Sequence, residues 1–261
     1  MRTKLKNLLL NRVSLNTIYN YFISKATGDE HHIFIACLPK SGSTFIADVL
    51  VGITGYKFIQ FQPIRGTNDH NIDPGVFYEN LNKDTITQLH CKPNDSNKLY
   101  LKKHKIKVVF LKRDIRSSLK SFYNHILNEN DQWFMFSVPK EFKNWKIEKQ
   151  FDFLIDLVVP WYVNFLTSWA NEVFKKDIEI FEIEYDDFKN DNFKVIKDIL
   201  TFYNITESYD KIQSGIDKSY RKKETLRFNS SDNKVKYEYT SNQVKKIQSL
   251  VSYYPELQIK I

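Results

Sequence analysis

Residues 33–50 read Ile33-Phe34-Ile35-Ala36-Cys37-Leu38-Pro39-Lys40-Ser41-Gly42-Ser43-Thr44-Phe45-Ile46-Ala47-Asp48-Val49-Leu50. The first six residues are an apolar run rich in β-branched and aromatic side chains, the composition of a strand buried on both faces. From Ser43 onward, Phe45, Ile46, Val49 and Leu50 recur at helical spacing. Between them, Pro39-Lys40-Ser41-Gly42-Ser43-Thr44 is a Gly-containing turn that opens a helix. A strand, a tight turn and a helix start make an anion cradle, because the first-turn N–H groups lack helical partners and the helix dipole is positive there. Lys40 adds a full charge, and three hydroxyls add donors. Two readings are open here: an anion site on Lys40, Ser41, Gly42, Ser43 and Thr44, or an ordinary strand-to-helix turn with N-cap hydroxyls. A Walker A loop places Lys directly after its second Gly. Here Lys40 precedes Gly42 and no second Gly stands near, which disfavours an ordinary ATPase or GTPase.

Working outward, Gly55–Phe61 predicts a short second strand, Thr85–Leu89 a third run, Lys107–Leu111 another and Ile178–Tyr185 a fourth principal one. Residues 62–80 carry Pro63, Gly66, Pro74 and Gly75 among Asn and Asp and read as a long loop. Helical patterns cover Ile115–Leu127, Phe151–Phe174 with a kink or junction at Pro160, Asp186–Tyr203, and Asn242–Tyr253. Residues 128–150 read as irregular and aromatic, with Trp133, Phe134, Phe136 and Trp145. Alternating strands and helices predict an α/β fold, a mainly parallel central sheet flanked by helices in a P-loop NTPase-like three-layer sandwich. Ligands in such sheets sit outside the carboxyl ends of the strands. Lys40, His90, Arg113 and Tyr185 each fall just after an apolar run.

The 261 residues suit one domain, 1–261, with 1–30 as a helical extension. Lys and Arg exceed Asp and Glu by 39 to 31, a formal charge of +8 that suits an anionic partner: a nucleotide, an acidic glycan or a membrane surface. Nucleic acid is not an expected partner. The two cysteines, Cys37 and Cys91, show neither metal-ligand spacing nor a disulfide framework, so a reducing, cytoplasmic setting is expected. The first 25 residues contain no long uncharged apolar run for a signal peptide or membrane span. They could form a basic amphipathic helix that packs on the domain or touches a membrane peripherally.

Arg113 ends its strand and Ser121 lies eight residues on, in the following helix. A guanidinium can fork onto a phosphate and a hydroxyl can join it. The alternatives are an Arg113 pair with Asp114 or Asp186 and a solvated Ser121. Taken together, these segments resemble the sulfotransferase superfamily, which uses 3′-phosphoadenosine-5′-phosphosulfate (PAPS) as donor and leaves PAP. Pro39–Thr44 is similar to that family's 5′-phosphosulfate loop. KRDIRSSLKSFYNH, with Arg113 and Ser121, is similar to its 3′-phosphate segment. Glu184-Tyr185-Asp186-Asp187-Phe188 looks like its strand end whose Tyr lies against the adenine, and Arg227-Phe228-Asn229 looks like its late 3′-phosphate segment. The likeness runs from about Ile33 to Pro255. Departures are Phe45 where the family often has Trp, Ser230-Ser231 where a Gly usually follows, and Gln88 where many members have Lys.

The resemblance implies transfer of a sulfuryl group to a hydroxyl or amine of a small-molecule, lipid or carbohydrate acceptor. Charge builds on the leaving phosphate oxygen, and Lys40 is placed to stabilise it. His90 is the expected general base, because it ends a strand on the ligand side. His31 and His32 precede the first strand, His70 lies in a loop, His104 precedes a strand and His125 comes late in a helix. The alternative for His90 is a structural histidine. No metal is expected. The aromatic segment near Trp133 and loop 62–80 are expected to build the acceptor pocket. A P-loop kinase and a non-catalytic nucleotide-binding module are the competing classes.

Overall fold

The computed structural model describes residues 31–62, 71–128, 132–133, 136–171, 177–222, 235–257 and 259–261. The N-terminal extension, His70, Phe134, Arg227, Asn229 and Ser230-Ser231 therefore lie outside the described residues, as do residues 63–70 of the loop expected at 62–80.

The centre is β1 (His32–Cys37), whose Ile33 to Cys37 are fully buried. It leads through the cradle into α1 (Ser43–Thr54) and then β2 (Lys57–Phe58), shorter than the expected strand. α2 (Pro74–Asn80), β3 (Thr85–Leu89), α3 (Asp95–Lys103), β4 (Val108–Lys112) and α4 (Ile115–Asn128) follow. A small antiparallel hairpin, β5 (Gln132–Trp133) with β6 (Phe136–Ser137), precedes the long α5 (Ile147–Ala170). β7 (Ile180–Glu184), α6 (Tyr185–Asn190), α7 (Asn192–Phe202), α8 (Tyr209–Arg221) and α9 (Ser241–Val251) complete the order.

The five-stranded sheet has the order β2-β3-β1-β4-β7, and every pairing is parallel. Alternation along β1 divides the core in two. Ile33, Ile35 and Cys37 join Phe45, Ile46, Val49, Phe188, Ile199 and Ile216 on one face. Phe34, Ala36 and Leu38 join Phe77, Leu101, Phe122, Phe151, Phe165 and Trp169 on the other. Helices α1, α6, α7 and α8 thus cover one face and α2, α3, α4, α5 and α9 the other, which is the expected three-layer α/β sandwich. At the amino ends of the strands, the buried Tyr203 hydroxyl accepts from Phe34 N at 3.0 Å and donates to Lys107 O at 2.8 Å. Chain from β1 runs to one side of the sheet through α1, while β4 and β7 extend the other, so a crevice opens at their carboxyl ends.

Several expectations change. Residues 74–80 are helix rather than loop: Asp73 accepts from Val76 N at 2.8 Å as N-cap and Pro74 takes the first helical position, where its missing N–H costs nothing. The helix expected over 186–203 is two, because Asp191 leaves helical geometry and caps the second by accepting from Lys194 N. The irregular stretch 128–150 includes the hairpin, a 3₁₀ turn at Phe142–Asn144 and the first turn of α5. α5 continues through Pro160. It is long and apolar enough to cross a membrane by composition alone, yet its Phe151, Leu154, Ile155, Tyr162, Phe165 and Trp169 are buried in the domain core.

Candidate active site

The cradle is held by backbone geometry that only its sequence permits. Leu38 N–H still donates to Leu111 O at 3.2 Å, continuing the sheet by one residue. Lys40 at φ 66° and Gly42 at φ 83° are both left-handed, so the chain reverses within three residues. Ser41 is fully buried and its hydroxyl donates to Leu38 O at 2.7 Å, bracing the turn from within. Of the expected donor contacts, Ser41 therefore offers its backbone. Gly42 is the N-cap of α1 and its carbonyl accepts from Phe45 and Ile46 N–H, at 3.1 and 3.2 Å. Ser43 is buried beside the Cys37 thiol, whereas Thr44 is exposed at the rim.

The four strand-end residues do meet this crevice. Lys40 is half-buried and follows β1; His90 follows β3, Arg113 follows β4 and Tyr185 follows β7. Arg113 Nη1 donates to Lys40 O at 2.6 Å, so one arm of its fork holds the cradle. Its guanidinium carbon lies 4.2 Å from the centre of the Tyr185 ring, a stacked cation–π contact. Tyr185 in turn presses its edge on Gly42, where a Cβ would come within 2.8 Å of Cε2. Any side chain at position 42 would meet both a forbidden φ and that ring. Arg113 Nε is buried and has no hydrogen-bond partner among the described residues. A buried charged donor in that state is costly unless an anion completes it. Ser121 lies half-buried on the second turn of α4, the helix that Arg113 precedes. The hydroxyl of Tyr162, on α5, reaches Pro39 O at 3.4 Å, and burial pushes its phenol far above the usual range.

His90 Nδ1 lies 2.8 Å from Cys37 O. A carbonyl can only accept, so Nδ1 carries the proton and the lone pair of the neutral ring is on Nε2. Gln88, where the family often has Lys, is buried and donates from Nε2 to Cys37 Sγ at 3.1 Å. Phe45, where the family often has Trp, is buried against Tyr220 and Phe188, with ring centres 4.8 and 5.8 Å away. Sequence reasoning missed three parts of this site: the Cys37 thiol, Tyr162 and Tyr220. Cys37 comes beside Gln88 and His90 through the β1–β3 register, which alternation along one strand does not give, and Tyr162 and Tyr220 reach the site through packing of distant helices. Among the described residues no three His, Cys, Asp or Glu side chains converge as metal ligands.

A family model described as a sulfotransferase domain matches residues 30–253. No curated protein matches the chain. Among solved structures, a mouse sulfotransferase, SULT7A1, complexed with PAP, aligns with TM-score 0.61 at 17% identity, over 91% of this chain and 89% of its own. A retinol dehydratase in complex with androsterone and inactive cofactor PAP gives TM-score 0.58 at 14% identity, over 88% and 81%. A retinol dehydratase with retinol and PAP gives 0.54 at 13%, over 95% and 87%. At such identities the likeness is one of fold.

Proposed function

The chain belongs to the sulfotransferase domain family, and from that premise we propose that it transfers the sulfuryl group of PAPS to an acceptor hydroxyl or amine, with His90 as base and Lys40 at the leaving phosphate. The observation that carries this reading is the convergence of Lys40, His90, Arg113 and Tyr185 at the strand ends, with Arg113 Nε left as a buried donor that an anion would satisfy. The first turn of α1 offers Ser43 and Thr44 N–H groups to the 5′-phosphosulfate, and the helix dipole favours its charge. Arg113 and Ser121 take the 3′-phosphate; Arg227 and Asn229 are assigned there by resemblance alone. Tyr185 gives one ring face to Arg113 and its other face to the adenine.

The chemistry follows from these placements. The acceptor O–H or N–H gives its proton to Nε2 of His90 as the acceptor atom bonds sulfur. The sulfur–oxygen bond to the phosphate opens and its electron pair stays on the leaving oxygen. Lys40 stabilises that charge, which is larger in the transition state than in the bound donor, so the interaction lowers the barrier rather than merely tightening binding. The aromatic contacts Phe122–Phe136, Phe136–Phe153 and Phe142–Trp145 beside α4 suit a flat or apolar acceptor. The solved relatives with retinol and androsterone favour testing a lipid-like alcohol first. Both cysteines are free and buried, which supports the cytoplasmic setting.

The test is a transfer screen with labelled PAPS against retinoid and steroid alcohols, phenols, sugars and amines, run with His90→Asn alongside. Transfer by the parent and a loss of about 10²–10⁴ in turnover for the variant, with donor affinity kept, is the expected result. Stabilisation against heat by ATP but not by PAP, with no transfer, would favour the kinase reading instead.

A further inference from the structure

On the face of the sheet covered by α1, a small polar cluster at the strand ends lies within a largely apolar layer. β1 and β3 pair with Ala36 opposite Leu89, so Cys37 comes level with His90. Alternation puts Ile86, Gln88 and His90 on the face that Cys37 shares. Gln88 Nε2 donates to Cys37 Sγ at 3.1 Å, and Sγ reaches Leu89 O at 3.6 Å. His90 Nδ1 lies 3.4 Å from the same sulfur. Ser43, the first residue of α1, is buried beside it and counters part of the burial effect on the thiol. Burial pushes the thiol up to about 11, so it is uncharged at neutral pH. A buried amide such as Gln88 costs free energy unless partnered, and here Nε2 donates to a sulfur rather than an oxygen.

A single hydrogen bond such as Nδ1–H to Cys37 O does not by itself define the plane of an imidazole. A second acceptor set off the axis fixes the ring plane and therefore the direction of Nε2. We propose that Cys37 Sγ, itself held by Gln88, is a positioning residue for His90, aiming the base at the acceptor and tying it through Ser43 to the donor cradle. The proposal rests on His90 being the base. The thiol touches no reacting atom; its role is to make the base and the donor loop one rigid unit.

The experiment measures kcat, donor and acceptor KM, the pH–rate profile and Tm for Cys37→Ala, Cys37→Ser, Gln88→Leu and His90→Asn in the full chain. Cys37→Ala and Gln88→Leu should each lower kcat about 3- to 10-fold, the scale of a weak hydrogen bond, with donor KM unchanged. In Cys37→Ala the acidic limb should move to lower pH, because an acceptor facing Nδ1–H stabilises imidazolium more than imidazole. Cys37→Ser keeps an acceptor and should restore most of the loss. Nitrogen NMR of His90 should show the same direction of shift without reference to turnover. Parent-like kcat and acidic limb in both variants, while His90→Asn is inactive, would overturn the positioning role and leave the base intact. Parallel losses of kcat and Tm without recovery in Cys37→Ser would show packing alone. An active His90→Asn would remove the base and this proposal together.

Discussion

Lys40 occupies a left-handed backbone position that a non-glycine residue adopts only when its surroundings enforce it, and Arg113 supplies part of that enforcement through the Lys40 carbonyl. The side chain is thus presented by its own strained backbone. Lys40→Ala should leave the fold intact and remove transfer; a variant with near-normal turnover and unchanged PAP affinity would end its role at the leaving oxygen. Arg113→Ala should weaken PAP binding by about 1.5–3 kcal/mol, the scale of a charged hydrogen bond, as read by calorimetry. Because Arg113 also holds the cradle, a nucleotide without the 3′-phosphate should lose a smaller but real share. Equal losses for both would confine Arg113 to a structural role. At this scale the sequence showed which residues end strands but not how they bond one another. Arg113 was legible as a cation at a strand end, whereas its bond to Lys40 O and its stack on Tyr185 depend on the curl of a turn 73 residues earlier.

Helix α1 carries the cradle at its amino end, and its packing against α8 decides where that end sits. Gly215 of α8 allows the close approach: a Cβ there would lie 2.5 Å from Ile53 Cγ1 and 3.4 Å from Val49 O. Ser219 Oγ on α8 and Lys222 Nζ at its C-cap reach the Asp48 carboxylate at 2.6 and 3.3 Å. Gly215→Val should overpack this contact and cost about 1–3 kcal/mol, seen as a lower Tm, together with weaker donor binding. An unchanged Tm would mean that the two helices can separate freely. Strands β1 and β4 were legible because both their faces are buried and they read as nearly continuous apolar runs, whereas β3 was legible from its β-branched Thr85, Ile86 and Thr87. α8 also left a trace, with Ile212, Gly215, Ile216 and Ser219 at helical spacing behind the Ser208 cap, yet Gly215 hid it. α2 was hidden by Pro74-Gly75, a pair that reads as a turn until Asp73 is recognised as its cap. α3 is mostly polar and buries only Asn97 and Leu101, so its apolar pattern is faint.

At the scale of the molecule, Lys40, His90, Arg113 and Tyr185 gather at the carboxyl ends of the strands while Tyr203 bridges the opposite ends. Tyr203→Phe should cost about 1–3 kcal/mol by stranding Phe34 N–H and Lys107 C=O, lowering Tm while the kcat of the folded enzyme stays at the parent value. A fall in kcat at constant Tm would show that the far end of the sheet reaches the site. The strand order has a further consequence, in time rather than space. Among the described residues β1 is the earliest strand and the middle one in the sheet, and its neighbours begin only at Thr85 and Val108. During synthesis the segment His32–Leu38 leaves the ribosome before either of its sheet neighbours, and His32 precedes its partner Thr85 by 53 residues. Non-local parallel pairing of this kind makes folding slow and leaves an uncapped apolar strand open to other chains. The same residues that fix the centre of the finished enzyme are therefore the ones a chaperone would have to shield first.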